Sequence, residues 1–265
     1  MSSEKIGIQL ASLGLPFKKA LHMAARLGAA AVEIDARGEI RPAELSQTGL
    51  RSIRKMLADN NLRVCAVSFR TRRGYDVADG LERRISATKQ AMTMAYRLGA
   101  PVVVNQVGRI PSQSSEPAWQ RLLEALTDIG RFGQHEGALL AAETGTESGP
   151  DMAQLLSAVP LGTVAVNFDP ANLIVNDFSP HEALAAIGPY IRHVHAKDAV
   201  RDLAQGRGVQ VPLGRGSADL PALLGALEEY DYHGYFTIER EGSDDPVVEI
   251  AHAMRYLREV LPSGI

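Results

Sequence analysis

Short β-rich apolar runs alternate with longer amphipathic stretches eight times along this chain, and that repeat restricts the fold more than any other feature. The runs predict strands over residues 5–10, 31–35, 63–69, 101–107, 138–143, 164–169, 191–196 and 235–239. A helical pattern follows each strand, over 16–26, 49–59, 80–98, 117–134, 150–158, 180–189, 220–230 and 246–261. Divided over eight units, 265 residues give about 33 per unit, the size of a βαβ repeat that closes into a barrel. Gly28, Asn60-Asn61, Gly99, Gly137 and Gly234 each stand between a helix and the next strand, where a left-handed residue closes the helix. A doubly wound sheet shares the alternation, but no Gly-x-Gly-x-x-Gly follows the first strand. The expected fold is therefore α/β, a (β/α)8 TIM barrel forming one domain over residues 1–265.

Composition excludes several classes of function. With 45% apolar and 22% charged residues the chain can build a large core, and it is neither disordered nor a disulfide scaffold. Its one cysteine, Cys65, fits a reducing compartment. A net charge of -3 supplies no basic excess for nucleic acid. Neither a signal peptide nor a membrane span is visible, so the expected location is cytoplasmic.

In a barrel of this type, chemistry sits at the C-terminal ends of the strands. Those ends carry Gln9, Glu33 and Asp35, Ser68 and Arg70, Asn105 and Gln106, Glu143, Asp169, His193, His195 and Lys197, and Glu239. The last four strands each deliver one metal-ligand type. Taken singly, Glu143 reads equally as a strand-end ion pair, Asp169 as a helix cap and Glu239 as a partner of Arg240. Together they are costly to bury without a cation, because parallel strands are normally near-continuous apolar runs. Strand alternation puts His193, His195 and Lys197 on one face, with His193 one step deeper, in a supporting position. Three carboxylates and one imidazole suit a single divalent ion, Mn2+ first, with Mg2+, Co2+ and Zn2+ also allowed.

The residues Ala29-Ala-Ala-Val-Glu-Ile, Ala141-Ala-Glu-Thr-Gly, Asn167-Phe-Asp-Pro-Ala-Asn, His193-Val-His-Ala-Lys-Asp, Pro212-Leu-Gly-Arg-Gly-Ser and Gly234-Tyr-Phe-Thr-Ile-Glu resemble the xylose isomerase-like barrel superfamily of sugar isomerases, epimerases and endonuclease IV. The resemblance implies that Glu143, Asp169, His195 and Glu239 hold the metal and that Glu143 and Glu239 exchange a proton as acid and base through an enediolate. It implies that Arg215 contacts substrate, and Lys197 is a second candidate to hold a hydroxyl, carboxylate or phosphate. Asn172 stands where family epimerases and the endonuclease carry a histidine, and its amide can still donate to a substrate carbonyl. Glu147 is a further candidate for orienting the sugar. The strand-three and strand-four ends lack the histidines of the endonuclease, which argues against DNA repair.

The leading expectation is a divalent-metal-dependent isomerase or epimerase of a small sugar or sugar derivative. The alternatives are a lyase that dehydrates an inosose or keto-sugar, and a non-catalytic sugar-binding or accessory subunit. A small-molecule sugar is the expected partner, without nucleic acid or membrane, and a homo-oligomer is allowed. The loops expected to set specificity, 70–80, 108–117 and 200–216, carry Arg70, Arg72, Arg73, Arg109, Arg201 and Arg207. These arginines suit an acidic sugar or a phosphate and equally a solvated rim.

Overall fold

Side-chain alternation sorts each strand into an apolar face that meets the helices and a second face that lines a lumen. The computed structural model describes residues 5–202 and 207–261. Its strands are β1 (Ile6–Gln9), β2 (Ala31–Asp35), β3 (Arg63–Ser68), β4 (Val102–Asn105), β5 (Leu139–Glu143), β6 (Val164–Phe168), β7 (Ile191–Ala196), β8 (Asp198–Asp202), β9 (Arg207–Val211) and β10 (Phe236–Ile238). Eight of them are parallel and close into a barrel in the order β1, β10, β7, β6, β5, β4, β3, β2. The helices are α1 (Phe17–Leu27), α2 (Gln47–Asp59), α3 (Leu81–Leu98), α4 (Pro117–Glu136), α5 (Gly149–Ala158), α6 (Pro170–Val175), α7 (Pro180–Ile187), α8 (Leu220–Glu229) and α9 (Pro246–Val260).

Outward-facing residues such as Ile8, Val32, Val67, Val103, Leu140 and Val166 join the helices in one large core. The lumen begins with small side chains: Ala66, Val102, Val104, Ala141 and Ala165 pack as a separate cluster. At its base a Cβ on Gly7 would lie 2.8 Å from Thr237 Oγ1 and 3.2 Å from Cys65 Sγ, so only hydrogen fits there. Above this layer inward positions on β1, β2, β5, β6 and β7 turn polar, with Gln9, Glu33, Glu143, Asn167, His193 and His195 all buried.

Three local features depart from the sequence expectation. Segment 200–216, expected as a loop, contains part of the antiparallel hairpin β8–β9, in which Asp198 pairs with Val211. Asp198 clasps the base of that hairpin: its carboxylate accepts from the backbone N–H groups of Ala199 (2.9 Å), Gly214 (3.0 Å), Gly216 (2.7 Å) and Ala218 (3.1 Å). A short helix, α6, starts directly after β6 at Pro170, too brief to show a helical period. Gly28, Asn61, Gly99 and Gly137 have positive φ, as expected, but the left-handed residue after α8 is Asp231 (φ 57°) rather than Gly234. Asp tolerates that conformation through local hydrogen bonding, which is why it closes a helix without a glycine.

Candidate metal centre

Glu143, Asp169, His195 and Glu239 come together at the C-terminal mouth, each offering an atom within 4.8 Å of the others. Strand order explains the convergence: β7 lies between β10 and β6, with β5 next to β6, so carboxylates arrive on both sides of His195. His195 Nδ1 lies 3.1 Å from Glu143 Oε1, 2.9 Å from Glu239 Oε2 and 3.6 Å from Asp169 Oδ2. All four residues are buried.

The fit to a cation is tested by what the carboxylates lack. Glu143 Oε2, Asp169 Oδ2 and Glu239 Oε2 are buried and accept no hydrogen bond from the described residues. Lys197 Nζ is within ion-pair distance of two of them, 3.1 Å from Asp169 Oδ2 and 3.0 Å from Glu239 Oε2, but without hydrogen-bond alignment. Buried polar atoms are normally satisfied, and three carboxylates around one imidazole nitrogen, each with one such oxygen, match the hard donor set of a divalent ion. Asp169 is oriented by its cap: its Oδ1 accepts from Asn172 N (2.9 Å) at the start of α6, which leaves Oδ2 facing the other acids. The helix-cap reading of Asp169 is met by Oδ1 alone, and Oδ2 takes no part in the cap.

Glu33, named in the sequence only as a strand-end acid, sits behind the site. Its Oε2 accepts from His195 Nε2 (2.9 Å) and His193 Nε2 (3.1 Å), and its Oε1 accepts from Gln9 Nε2 (2.9 Å). A carboxylate on Nε2 leaves Nδ1 of His195 as the nitrogen that faces the three acids, the usual arrangement behind a metal-bound imidazole. Asn167 Nδ2 also reaches His195 Nδ1 (3.0 Å) and Glu143 Oε1 (3.3 Å). Burial opposes charge on His195, yet Glu239 and Glu33 outweigh it and hold its pKa well above the ordinary value. Burial likewise opposes ionisation of Glu239 and Glu33, but His195 beside each keeps both carboxyls well below the usual range. His193 behaves oppositely: burial pushes its pKa down despite the Glu33 hydrogen bond.

The remaining candidates divide. Lys197 is buried among the acids, and its Nζ also donates to Asn172 Oδ1 (3.3 Å). Glu147 folds back on its own loop, accepting from Gly145 N (3.3 Å) and Thr146 Oγ1 (2.7 Å), and burial pushes its pKa up to about 7. Arg215, expected to contact substrate, is exposed after the hairpin and its side chain pairs with no described residue. Arg240 pairs with Glu249 (2.5 Å) instead of Glu239. The arginine on Glu239 is Arg70, which also reaches Glu241 at 2.5 Å. Its role was not legible in the sequence, because Arg70 follows β3 and meets Glu239, which follows β10, only across the barrel mouth. A cavity of about 540 Å3 opens beside it, lined by Gln9, Ser12, Asp35, Arg37, Ser68 and Arg70 among others.

A family model described as xylose isomerase-like TIM barrel matches residues 21–260. The chain belongs to this family. Among curated family relatives, inosose dehydratase of Bacillus thuringiensis is 23% identical over 226 residues, covering 74% of each chain. Among solved structures, a xylose isomerase domain protein from Planctomyces limnophilus superposes with a TM-score of 0.83 at 26% identity, covering 91% of each chain. D-psicose 3-epimerase from Clostridium cellulolyticum H10, solved with D-tagatose, gives a TM-score of 0.77 at 16% identity over 98% of this chain and 100% of its own. No described helix is long and apolar enough to cross a membrane.

Proposed function

We propose that this family member is a divalent-metal-dependent isomerase or epimerase acting on a small sugar or sugar derivative. The observation that carries the reading is the set of three buried carboxylates gathered around His195 Nδ1, each with one oxygen that accepts no hydrogen bond from the described residues. Glu143, Asp169, His195 and Glu239 would hold the ion, with Mn2+ the first choice. When bound, such an ion polarises neighbouring carbonyl and hydroxyl oxygens and so acidifies the carbon-bound proton beside the carbonyl.

The chain's own residues do the rest. Glu143 and Glu239 stand on opposite flanks of β7, so one carboxylate takes the proton from one face of the substrate carbon while the other returns a proton from the opposite face. The C–H electron pair forms a C=C bond as the carbonyl π pair moves to oxygen; reprotonation of the same carbon inverts the centre, whereas protonation of the former carbonyl carbon, with the neighbouring hydroxyl proton passing to the other oxygen, relocates the carbonyl. Lys197, fixed by Asp169 and Glu239, offers an ammonium to a substrate oxygen, and Asn172 offers its amide.

A second reading is dehydration of an inosose or keto-sugar: after the same proton abstraction, the neighbouring hydroxyl leaves as water instead of the carbon being reprotonated. The curated relatives named inosose dehydratase favour it. Incubation of the Mn2+-loaded protein in D2O with a panel of ketoses and inososes tests both. Deuterium at the carbon beside the carbonyl with no loss of water supports the first reading, and net loss of water supports the second. Neither exchange nor dehydration with any member overturns both and leaves a binding protein.

A further inference from the structure

Charge also gathers outside the metal set. A second cavity, about 560 Å3, lies under loop 70–80 and the first turn of α3, lined by Arg37, Thr71, Arg72, Arg73, Arg83 and Arg84 among others. Arg37 lines this cavity and also the one beside Arg70, so the two adjoin, and Arg70 in turn touches Glu239. The second cavity therefore neighbours the proposed reaction site through two residues.

Its charges do not balance. Five guanidinium groups line it against one carboxylate, Asp79, which Arg73 engages at 2.5 Å. Arg37 donates to the Arg70 carbonyl (2.6 Å), and Arg84 donates to the carbonyls of Val77 and Asp79, while its Nε is buried without an acceptor. Arg72 and Arg83 form no hydrogen bond or ion pair with any described residue. On a convex surface long cations spread apart and water screens them. Here the carbonyl contacts hold Arg37 and Arg84 against the cavity wall, and Arg73 is tied to Asp79. Three guanidinium groups are thus held at the cavity, and the exposed Arg72 and Arg83 add two without a described partner; such forks match the planar or tetrahedral oxygens of an anion.

We propose that this cavity is an anion subsite that receives the phosphate or carboxylate of the substrate, while the polyol part of the same molecule reaches the metal set past Arg37 and Arg70. The inference rests on the proposed function for the rest of the ligand, whereas the anion contact is separable from it. Arg72 and Arg83 are the discriminating residues because they are exposed and lie outside the metal set.

The test uses the full chain and R72Q/R83Q, with thermal unfolding as a check that the variant folds. Inorganic phosphate and acetate are titrated separately, at low salt, into metal-free and Mn2+-loaded protein. Binding of at least one anion that is indifferent to Mn2+ and weakened about tenfold or more in the variant supports the subsite. The tighter of the two anions identifies the group. In turnover assays, each ketose is supplied neutral, as its phosphate and as its acid. The parent should favour one acidic form in kcat/KM by about tenfold or more, with the variant losing that preference through KM. Absence of binding by either anion, equal binding in parent and variant, or turnover indifferent to the acidic group overturns the inference and leaves the proposed function standing. Anion binding that depends on Arg72 and Arg83, with no sugar transformed, supports the subsite and overturns the proposed function.

Discussion

Glu33→Gln exchanges one oxygen for an NH2 in a place where every neighbour is already a donor. His193 and His195 donate to Oε2, and Gln9 donates to Oε1. An amide at this position must aim its N–H groups at the two imidazoles or at the Gln9 amide. Turning Gln9 over relieves the second clash but removes the acceptor of Ser12 Oγ, which now donates to Gln9 Oε1 at 2.8 Å while accepting from Arg240 N at 3.0 Å. With both imidazoles keeping their proton on Nε2, one buried donor is left unsatisfied in either arrangement, at a cost of about 1–3 kcal/mol, or roughly 2–12 °C in Tm for a domain of this size. The loss should reach the metal as well, since Glu33 fixes which nitrogen of His195 faces the three acids. Removing a partner behind a metal-bound histidine weakens the metal by about 10–100-fold, or ~1.4–2.7 kcal/mol. A competing effect runs the other way: without Glu33 the His195 pKa falls and protons compete less for Nδ1. The weakening should therefore be greatest at high pH, where proton competition is smallest. Calorimetric titration of parent and variant with Mn2+ at two pH values, beside thermal unfolding of the metal-free proteins, reads all three quantities. A variant that folds and binds Mn2+ within about twofold of the parent at high pH would refute the reasoning.

Metal binding should release about one proton, because the neighbouring carboxylates hold His195 protonated above its ordinary pKa and a metal ligand must be neutral. Affinity then rises with pH, and titration in buffers of different ionisation enthalpy counts the proton; a heat independent of buffer contradicts the assignment. Glu39 has its pKa raised to about 7 by burial, so it costs the fold nothing below about pH 4.5, and the cost grows until pH passes 7. Glu39→Gln should therefore gain up to roughly 3 kcal/mol in stability at pH 8 relative to its effect at pH 4, read from denaturant midpoints; an equal effect at both pH values rules this out. Gly130→Ala in α4 gains about 1 kcal/mol of helix propensity, but the new Cβ would lie 2.7 Å from Thr163 Cβ and 3.0 Å from Thr163 O. Overpacking of about 1–3 kcal/mol should win and lower the Tm, so a variant as stable as the parent would show that the turn before β6 yields.

Much of this site was legible in the sequence because the strand period is two. Once His193, His195 and Lys197 share a face, and Glu143, Asp169 and Glu239 end their strands, barrel closure is enough to bring them together. What the period cannot reveal is which neighbour a side chain chooses. Arg240 is adjacent to Glu239 in sequence, but the chain turns it toward Glu249, while Arg70 arrives from across the mouth. Glu33 escaped notice as a supporting group because its partners lie 160 and 162 residues away. The hairpin β8–β9 was unreadable for a different reason: its order depends on Asp198 gathering backbone N–H groups from Gly214, Gly216 and Ala218, a long-range contact that leaves no periodic trace.

That same clasp has a consequence for how proteins of this architecture diversify. Asp198 ties both ends of an inserted segment to one carboxylate immediately after Lys197, and a Cβ on Gly216 would fall 2.0 Å from Asp198 Oδ1, so the knot itself tolerates little change. The strands beyond the knot are joined to Lys197 only through that clasp and the adjoining backbone. Substitutions along β8 and β9 can then accumulate without displacing Lys197. The β8–β9 segment is in that sense a graftable cassette, and transplanting it between relatives offers a route to new selectivity with the Asp198 clasp unchanged.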